Sequence, residues 1–330
     1  MGKCLYLEGS NLEWLLPFLF KALMNKILVL GGSGFIGKNL LSIAKGDSNE
    51  IYVITQSDIS KSEEFKHCHF IDGSIKDTAL IKTVLTENGI SNIVHLNSNL
   101  IPSSSTDEFQ KSFEDIVLPS FKIIDLATTL NIQFIFLSSG GTVYGQSHSK
   151  INETHALNPI NYYGYHKTVI EDYILFKHRT EKLNYLILRP SNVYGEYQKF
   201  ESKQGFISVA IHKLYNNETL EIWGDGSVTR DYIHAQDLVT IIIKLINSNV
   251  NNEILNISSG IGYTLNDVLN KISEILNITP NIIYKSQRNI DSCYVVLSND
   301  ELLKFVDHKF ISLENGINRQ IEYYKTYQIV

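Results

Sequence analysis

Lys26-Ile27-Leu28-Val29-Leu30-Gly31-Gly32-Ser33-Gly34-Phe35-Ile36-Gly37 decides the fold. The run Ile27 to Leu30 is apolar without alternation, which suits a strand covered on both faces, and the stretch from 35 to 45 has helical period. Between them lies a glycine-lined turn. Strand, glycines and helix start in that order aim backbone N–H groups and the positive end of a helix dipole at one point, where a dinucleotide pyrophosphate is well held. Gly31, Gly34 and Gly37, with Phe35 and Ile36 in the first helical turn, are the candidate contacts.

Outward from this unit, strand-length apolar runs at 26–30, 51–55, 68–71, 92–96, 132–138 and 184–189 alternate with helices near 35–45, 77–88, 107–130 and 161–181. That is the rhythm of parallel βαβ units, and it predicts an α/β fold with a doubly wound parallel sheet over residues 25–190. Beyond 190 the elements shorten around Gly224-Asp225-Gly226 and the Asn-rich connections at 247–249 and 251–252. A smaller C-terminal α/β lobe that binds substrate is expected over 191–330, partly interleaved with the first. Residues 1–24 follow neither pattern and read as a mobile or surface-docked extension. Their apolar part, Trp14 to Phe20, is interrupted by Pro17 and stops at Lys21, short of the ~20 residues a membrane span needs.

The 330 residues carry 29 basic and 35 acidic side chains, a formal charge of −6. No basic cluster tracks a phosphate backbone, so neither nucleic acid nor a membrane is an expected partner. Cys4, Cys68 and Cys293 are far apart and lack CxxC spacing. This predicts no disulfide framework and no metal site, and fits a reducing cytoplasm.

Tyr163 and Lys167 stand four residues apart in Asn161-Tyr162-Tyr163-Gly164-Tyr165-His166-Lys167. On a helix they share a face, one turn apart, so the Lys167 ammonium is expected to favour the Tyr163 phenolate. Drawing a tyrosine from about 10 to neutrality takes about 4 kcal/mol, which a placed cation in a low-dielectric site supplies. Such a phenol exchanges protons at neutral pH. His166 is expected to be structural or solvent-facing, and Trp14 and Trp223 to be packing residues.

Together these motifs resemble the NAD-dependent nucleotide-sugar epimerase/dehydratase family of extended short-chain dehydrogenases/reductases. The resemblance runs from about Met24 to the C-terminus and is carried, in order, by the glycine loop, Val94-His95-Leu96, Ser138-Ser139-Gly140-Gly141-Thr142-Val143-Tyr144-Gly145 and the Tyr163/Lys167 pair. Leu188-Arg189-Pro190-Ser191-Asn192-Val193-Tyr194-Gly195, Trp223-Gly224-Asp225-Gly226 with Arg230-Asp231-Tyr232, Asn256-Ile257-Ser258-Ser259-Gly260, and Arg288 with Asp291 follow.

The resemblance implies a Rossmann-type fold, NAD as cofactor, a UDP-sugar as substrate and a homodimer paired through the helices near 107–130 and 161–181. It implies that Lys167 also holds the nicotinamide ribose, that Tyr163 takes a proton from a sugar hydroxyl as hydride leaves the same carbon, and that Ser74, Ile75 and Leu96 are further cofactor contacts. The second strand ends in Thr55-Gln56-Ser57-Asp58, with neither an acidic ribose reader nor a basic phosphate reader in the usual place. Thr55, Gln56 or Ser57 is left to meet the ribose, with Asp58 late and Lys61 within reach of a phosphate.

The chain departs from the family where a Ser or Thr normally assists the tyrosine, since Gly140 stands there and Thr142, or else Ser139, must serve. The carboxylate that dehydratases place next is also missing, at Gly141. Asn192, Arg230 and Arg288 match diphosphate contacts, Asp291 matches a ribose or uracil contact, and Val295 matches a position beside the sugar's C2 group, where a small residue admits an N-acetyl substituent. The expected activity is 4-epimerisation of UDP-glucose and UDP-galactose and of their N-acetyl forms. An NADPH-dependent nucleotide-sugar 4-ketoreductase, a dehydratase and a non-catalytic dinucleotide-binding regulator are the alternatives.

Overall fold

The computed structural model describes residues 24–46, 49–201, 204–286 and 294–327. The extension over 1–24, apart from Met24, lies outside them, as do Arg288 and Asp291.

A seven-stranded parallel sheet forms the centre. Its strands are β1 (Lys26–Leu30), β2 (Glu50–Thr55), β3 (His69–Asp72), β4 (Asn92–His95), β5 (Gln133–Leu137), β6 (Tyr185–Pro190) and, much later in the chain, β10 (Glu253–Ile257). They lie in the order β10-β6-β5-β4-β1-β2-β3. Direction of travel reverses between β1 and β4, which opens a crevice at the carboxyl ends of those strands.

Alternate residues of β1 explain the two covering layers. Ile27 and Val29 pack with helix α1 (Phe35–Ile43) and with α7 (Ala235–Asn247), whereas Leu28 and Leu30 pack with α2 (Thr78–Glu87), α4 (Leu118–Thr129) and α5 (Tyr162–Glu181). All four β1 side chains are fully buried. At about 1.5–3 kcal/mol per buried aliphatic side chain, these rows dominate the stability of the sheet.

Two elements differ from the sequence-based expectation. The single helix expected over 107–130 is α3 (Thr106–Ser112) and α4 joined by a π-helical turn at Phe113–Val117. Pro119 has no N–H to donate and crowds the preceding turn, and the Leu118 N–H reaches back five residues to the Phe113 carbonyl. The expected sheet also stopped at the 184–189 strand, but β10 adds a seventh strand beside β6, with Leu255 opposite Leu188.

The remaining elements form the C-terminal lobe. Strand β9 (Thr229–His234) pairs in parallel with β7 (Asn192–Tyr194) and β13 (Tyr294–Val295), and antiparallel with β11 (Gly262–Thr264). Strands β8 (Leu220–Trp223) and β12 (Ile282–Lys285) make a separate parallel pair. Helices α6 (Phe206–Tyr215), α8 (Leu265–Leu276) and α9 (Leu313–Tyr327) close over a core that includes Ile211, Ile222, Val268, Ile272, Ile317 and Tyr324.

Candidate active site

The β1–α1 turn is built to admit an anion. Helix α1 starts at Phe35, with its first-turn N–H groups directed at the crevice, and Gly34 donates to the Gly31 carbonyl at 3.1 Å. A Cβ on Gly37 would run into the Gly31 carbonyl and the Gly32 backbone, so only glycine allows the turn to close this tightly. A Cβ on Gly34 would meet nothing nearer than the Gly31 carbonyl at 3.4 Å and would stand where a pyrophosphate fits. Gly31, Gly34, Phe35, Ile36, Gly37 and Leu96 line one cavity of about 600 Å³, together with Tyr163 and Lys167.

Three of the expected cofactor contacts stand outside that lining. Gln56 is exposed at the end of β2. There Thr55 and Ser57 hydrogen-bond each other at 2.9 Å, and Asp58 pairs with Lys61 at 2.9 Å. The Ser74 hydroxyl accepts the Lys76 N–H at 3.3 Å, and Ile75 is buried in the apolar layer under α2. The polar groups at the end of β2 other than Gln56 are thus turned on one another.

Helix α5 delivers the Tyr–Lys pair. Asn161 caps it by accepting the Gly164 N–H at 2.8 Å, so the helix begins at Tyr162 and faces the end of β5 one turn apart with Tyr163 and Lys167. Lys167 is 2 % exposed and donates to the Leu137 carbonyl at 2.9 Å. Its ammonium lies 5.8 Å from the centre of the Tyr163 ring and 4.9 Å from that of Phe136.

Burial pulls the Lys167 ammonium down to about 7, with Glu171 pulling the other way. The same burial raises the Tyr163 phenol above its usual range, opposed by the neighbouring Ser139 hydroxyl. The direction is thus opposite to the one the four-residue spacing predicts, because burial disfavours the charged phenolate. His166 is fully buried rather than solvent-facing, and burial and Lys167 hold it neutral, at about 3.

The loop after β5 supplies the third group. Of the two candidate hydroxyls, that of Ser139 meets the Tyr163 phenol, whereas Thr142 Oγ1 turns to the Ser139 carbonyl at 3.4 Å. Gly140 has a steric cause: a Cβ there would sit 2.9 Å from the Arg189 carbonyl and 2.5 Å from a Leu297 methyl. No Asp or Glu lines this cavity among the described residues.

The cavity continues past Asn192 and Phe206 into a space of about 410 Å³ and then one of about 210 Å³, both bordered by Arg230. The Asn192 amide donates to the Asp231 carbonyl at 2.9 Å and one Arg230 nitrogen to the Thr229 carbonyl at 3.0 Å. Asp231 points away from the trough. Its carboxylate receives Ser259 Oγ at 3.0 Å and the backbone N–H groups of Ser259, Gly260 and Leu297, and burial raises it to about 6 against those bonds.

Trp223, expected to be packing, borders the far end of the trough and is 38 % exposed. Its alternation with buried Leu220 and Ile222 along β8 was the available signal. Val295 does not reach the trough. It is 1 % exposed in a small apolar cluster with Val143, Tyr144, Ile151 and Leu297, held there by pairing of β13 with β9, so its size does not gate the sugar.

Known proteins resemble this chain in sequence and fold. The model of the NAD dependent epimerase/dehydratase family matches residues 27–258. The chain is 28 % identical over 304 residues to a putative UDP-glucose 4-epimerase of Methanocaldococcus jannaschii, covering 91 % of this chain and 98 % of that one. It is 27 % identical to a dTDP-4-dehydro-6-deoxyglucose reductase of Escherichia coli, covering 90 % and 97 %. A UDP-glucose 4-epimerase of Thermotoga maritima, solved with UDP-glucose, superposes with a TM-score of 0.82 at 26 % identity over 91 % of this chain and 99 % of that one. Since that family model spans most of the chain, the chain belongs to the NAD dependent epimerase/dehydratase family of enzymes, with NAD as its cofactor.

Proposed function

We propose that the protein is a UDP-hexose 4-epimerase, interconverting UDP-glucose and UDP-galactose with NAD retained through the cycle. The observation that carries this reading is the junction at Tyr163. The phenol stands in the cavity that runs from the glycine turn toward the trough to Arg230, with Ser139 and Lys167 beside it; among the described residues no Asp or Glu lines that cavity, and Glu221 lines only the spaces beyond it. Such a site supports removal and return of a proton but offers no acid or base for expelling water from a neighbouring carbon.

Tyr163 takes the O4 proton, with Ser139 holding that oxygen and Lys167 favouring the phenolate. Bound NAD, held by the glycine turn and Lys167, would supply the hydride acceptor and donor for C4. Between the two transfers the 4-keto sugar turns over, while Arg230 and Asn192 hold the diphosphate and Trp223 borders the base. A firmly held nucleotide beside a roomy sugar space suits that reversal, and the same room suits N-acetyl forms.

Leu118, Tyr165 and Phe176 are large apolar side chains left 44 %, 51 % and 46 % exposed on the outer faces of α4 and α5. A homodimer that covers them, working in the cytoplasm, is part of the proposal. No helix among the described residues is long and apolar enough to cross a membrane.

The end of β2, which has no acidic ribose reader, favours one second reading, an NADPH-dependent nucleotide-sugar 4-ketoreductase. The two are separated by releasing and identifying nucleotide bound to the purified protein, then supplying UDP-glucose, UDP-galactose and their N-acetyl forms without added cofactor. Interconversion supports the epimerase. Turnover only with added NADPH and a 4-keto sugar overturns it.

A further inference from the structure

The loop carrying Ser139 and Thr142 is tied at both ends to one buried ion pair. Glu171 on α5 and Arg189 on β6 are 0 % and 3 % exposed and meet through Arg189 Nη2 and Glu171 Oε2 at 2.6 Å, with Nε at 3.2 Å from both carboxylate oxygens. At the start of the loop, the Ser138 hydroxyl donates to Glu171 Oε1. At its end, the Tyr144 hydroxyl accepts from Arg189 Nη1 at 2.9 Å and donates to Asn256 Oδ1 on β10 at 2.7 Å. The Glu153 carboxylate completes the set by accepting the Asn256 N–H at 2.8 Å. Neither charge borders the cavity.

This wiring has a functional geometry. Ser138 is covalently next to Ser139, whose hydroxyl meets Tyr163, and Glu171 stands one helical turn beyond Lys167 on the same face of α5. A buried pair is a weak source of net stability but a strong source of fixed orientation, because a displaced partner leaves a charge unpaired in the interior. The loop needs such an anchor. Gly140 and Gly141 bring no side chains to hold it internally, and Gly140 packs directly against the Arg189 backbone.

We propose that the Glu171–Arg189 ion pair is the positioning element of the active site, gripping the loop through Ser138 and Tyr144 so that the Ser139 hydroxyl stays in register with Tyr163 and Lys167. This rests on reading Tyr163 as the proton acceptor, and it makes Glu171, Arg189, Ser138 and Tyr144 positioning residues. Small misplacement of a reacting group costs up to about a hundredfold in rate.

The test uses Tyr144→Phe and Ser138→Ala, which cut one tie each and leave both charges paired. Ser208→Ala is the control, since it removes a buried hydroxyl 2.8 Å from the Tyr324 hydroxyl in the far lobe. Two readouts are taken: kcat and KM for UDP-glucose, and amide hydrogen exchange of residues 139–143 in the protein without added substrate. We expect kcat to fall tenfold to a hundredfold, by about that range, with KM unchanged, and exchange in the loop to quicken in both variants but not in the control. Loop exchange and kcat that change no more than in Ser208→Ala overturn the proposal. If the wild-type protein does not epimerise UDP-glucose, the functional reading fails, and the exchange experiment alone still decides whether the ion pair holds the loop.

Discussion

The two ends of the trough are made by opposite means. At the cofactor end, recognition is backbone: a glycine turn on a strand buried on both faces, with helix N–H groups and missing side chains as the working parts. At the end proposed for the substrate the lining is side chain: Asn192, Arg230 and Trp223 stand on β7, β9 and β8, short strands in two separate sheets. The first should tolerate no added atom and the second no lost one. Tyr163 and Lys167 sit at the seam, on a helix that serves both.

Breaking the seam has the largest expected effect. Tyr163→Phe removes general acid–base transfer and should lower kcat by about 10²–10⁴, with the bound dinucleotide retained and UDP-sugar affinity nearly unchanged. Retained full activity would refute the assigned base.

Truncating the substrate end comes next. Arg230→Ala removes a charge-assisted contact of about 1.5–3 kcal/mol, and KM for UDP-glucose should rise by the corresponding one to two orders of magnitude, with bound dinucleotide unaffected. An effect on dinucleotide content instead would erase the distinction between the two ends. Adding one methyl at the cofactor end should do the reverse: Gly37→Ala forces the turn apart, costs about 1–3 kcal/mol of stability and empties the protein of dinucleotide on purification. A melting temperature and bound nucleotide equal to wild type would show that the turn is looser than its contacts imply.

The last break concerns charge at the seam, and because it also unpairs the buried Arg189 it is read by titration rather than by turnover. Lys167 faces Tyr163, His166 and Glu171 from its own helix and His95 from β4. Burial lowers Lys167 to about 7 and Glu171 works against that, so replacing Glu171 by Gln removes an upward pull. The lysine should then lose its proton at a lower pH than in wild type, as read by nitrogen NMR. A titration that moves upward or stays in place would show that Glu171 does not set the lysine's charge.

The same contrast explains what could be read in advance. The cofactor end was legible because strand, turn and helix are consecutive, and each has its own local pattern. Strand β10 was not, since its pairing with β6 joins residues far apart in the chain and its flank, Asn251-Asn252, reads as a loop. That Tyr163 and Lys167 share one face of a helix was legible from their spacing; that this face meets the end of β5 was not, since it joins Lys167 to the Leu137 carbonyl thirty residues earlier. One more step of the same spacing leads to Glu171, and the sequence reading did not take it. For Tyr163, spacing reports a neighbour but not the burial that raises its phenol. Val295 failed for a related reason, since a motif count gives a position but not the face of the strand on which it lies.

The central claim is that one bound dinucleotide takes hydride from C4 and gives it back to the same sugar. Purified protein incubated with UDP-glucose deuterated at C4, with no cofactor added, tests this directly. The account predicts UDP-galactose that keeps the deuterium at C4; product that has lost the label, or no product until NADPH is supplied, would contradict it.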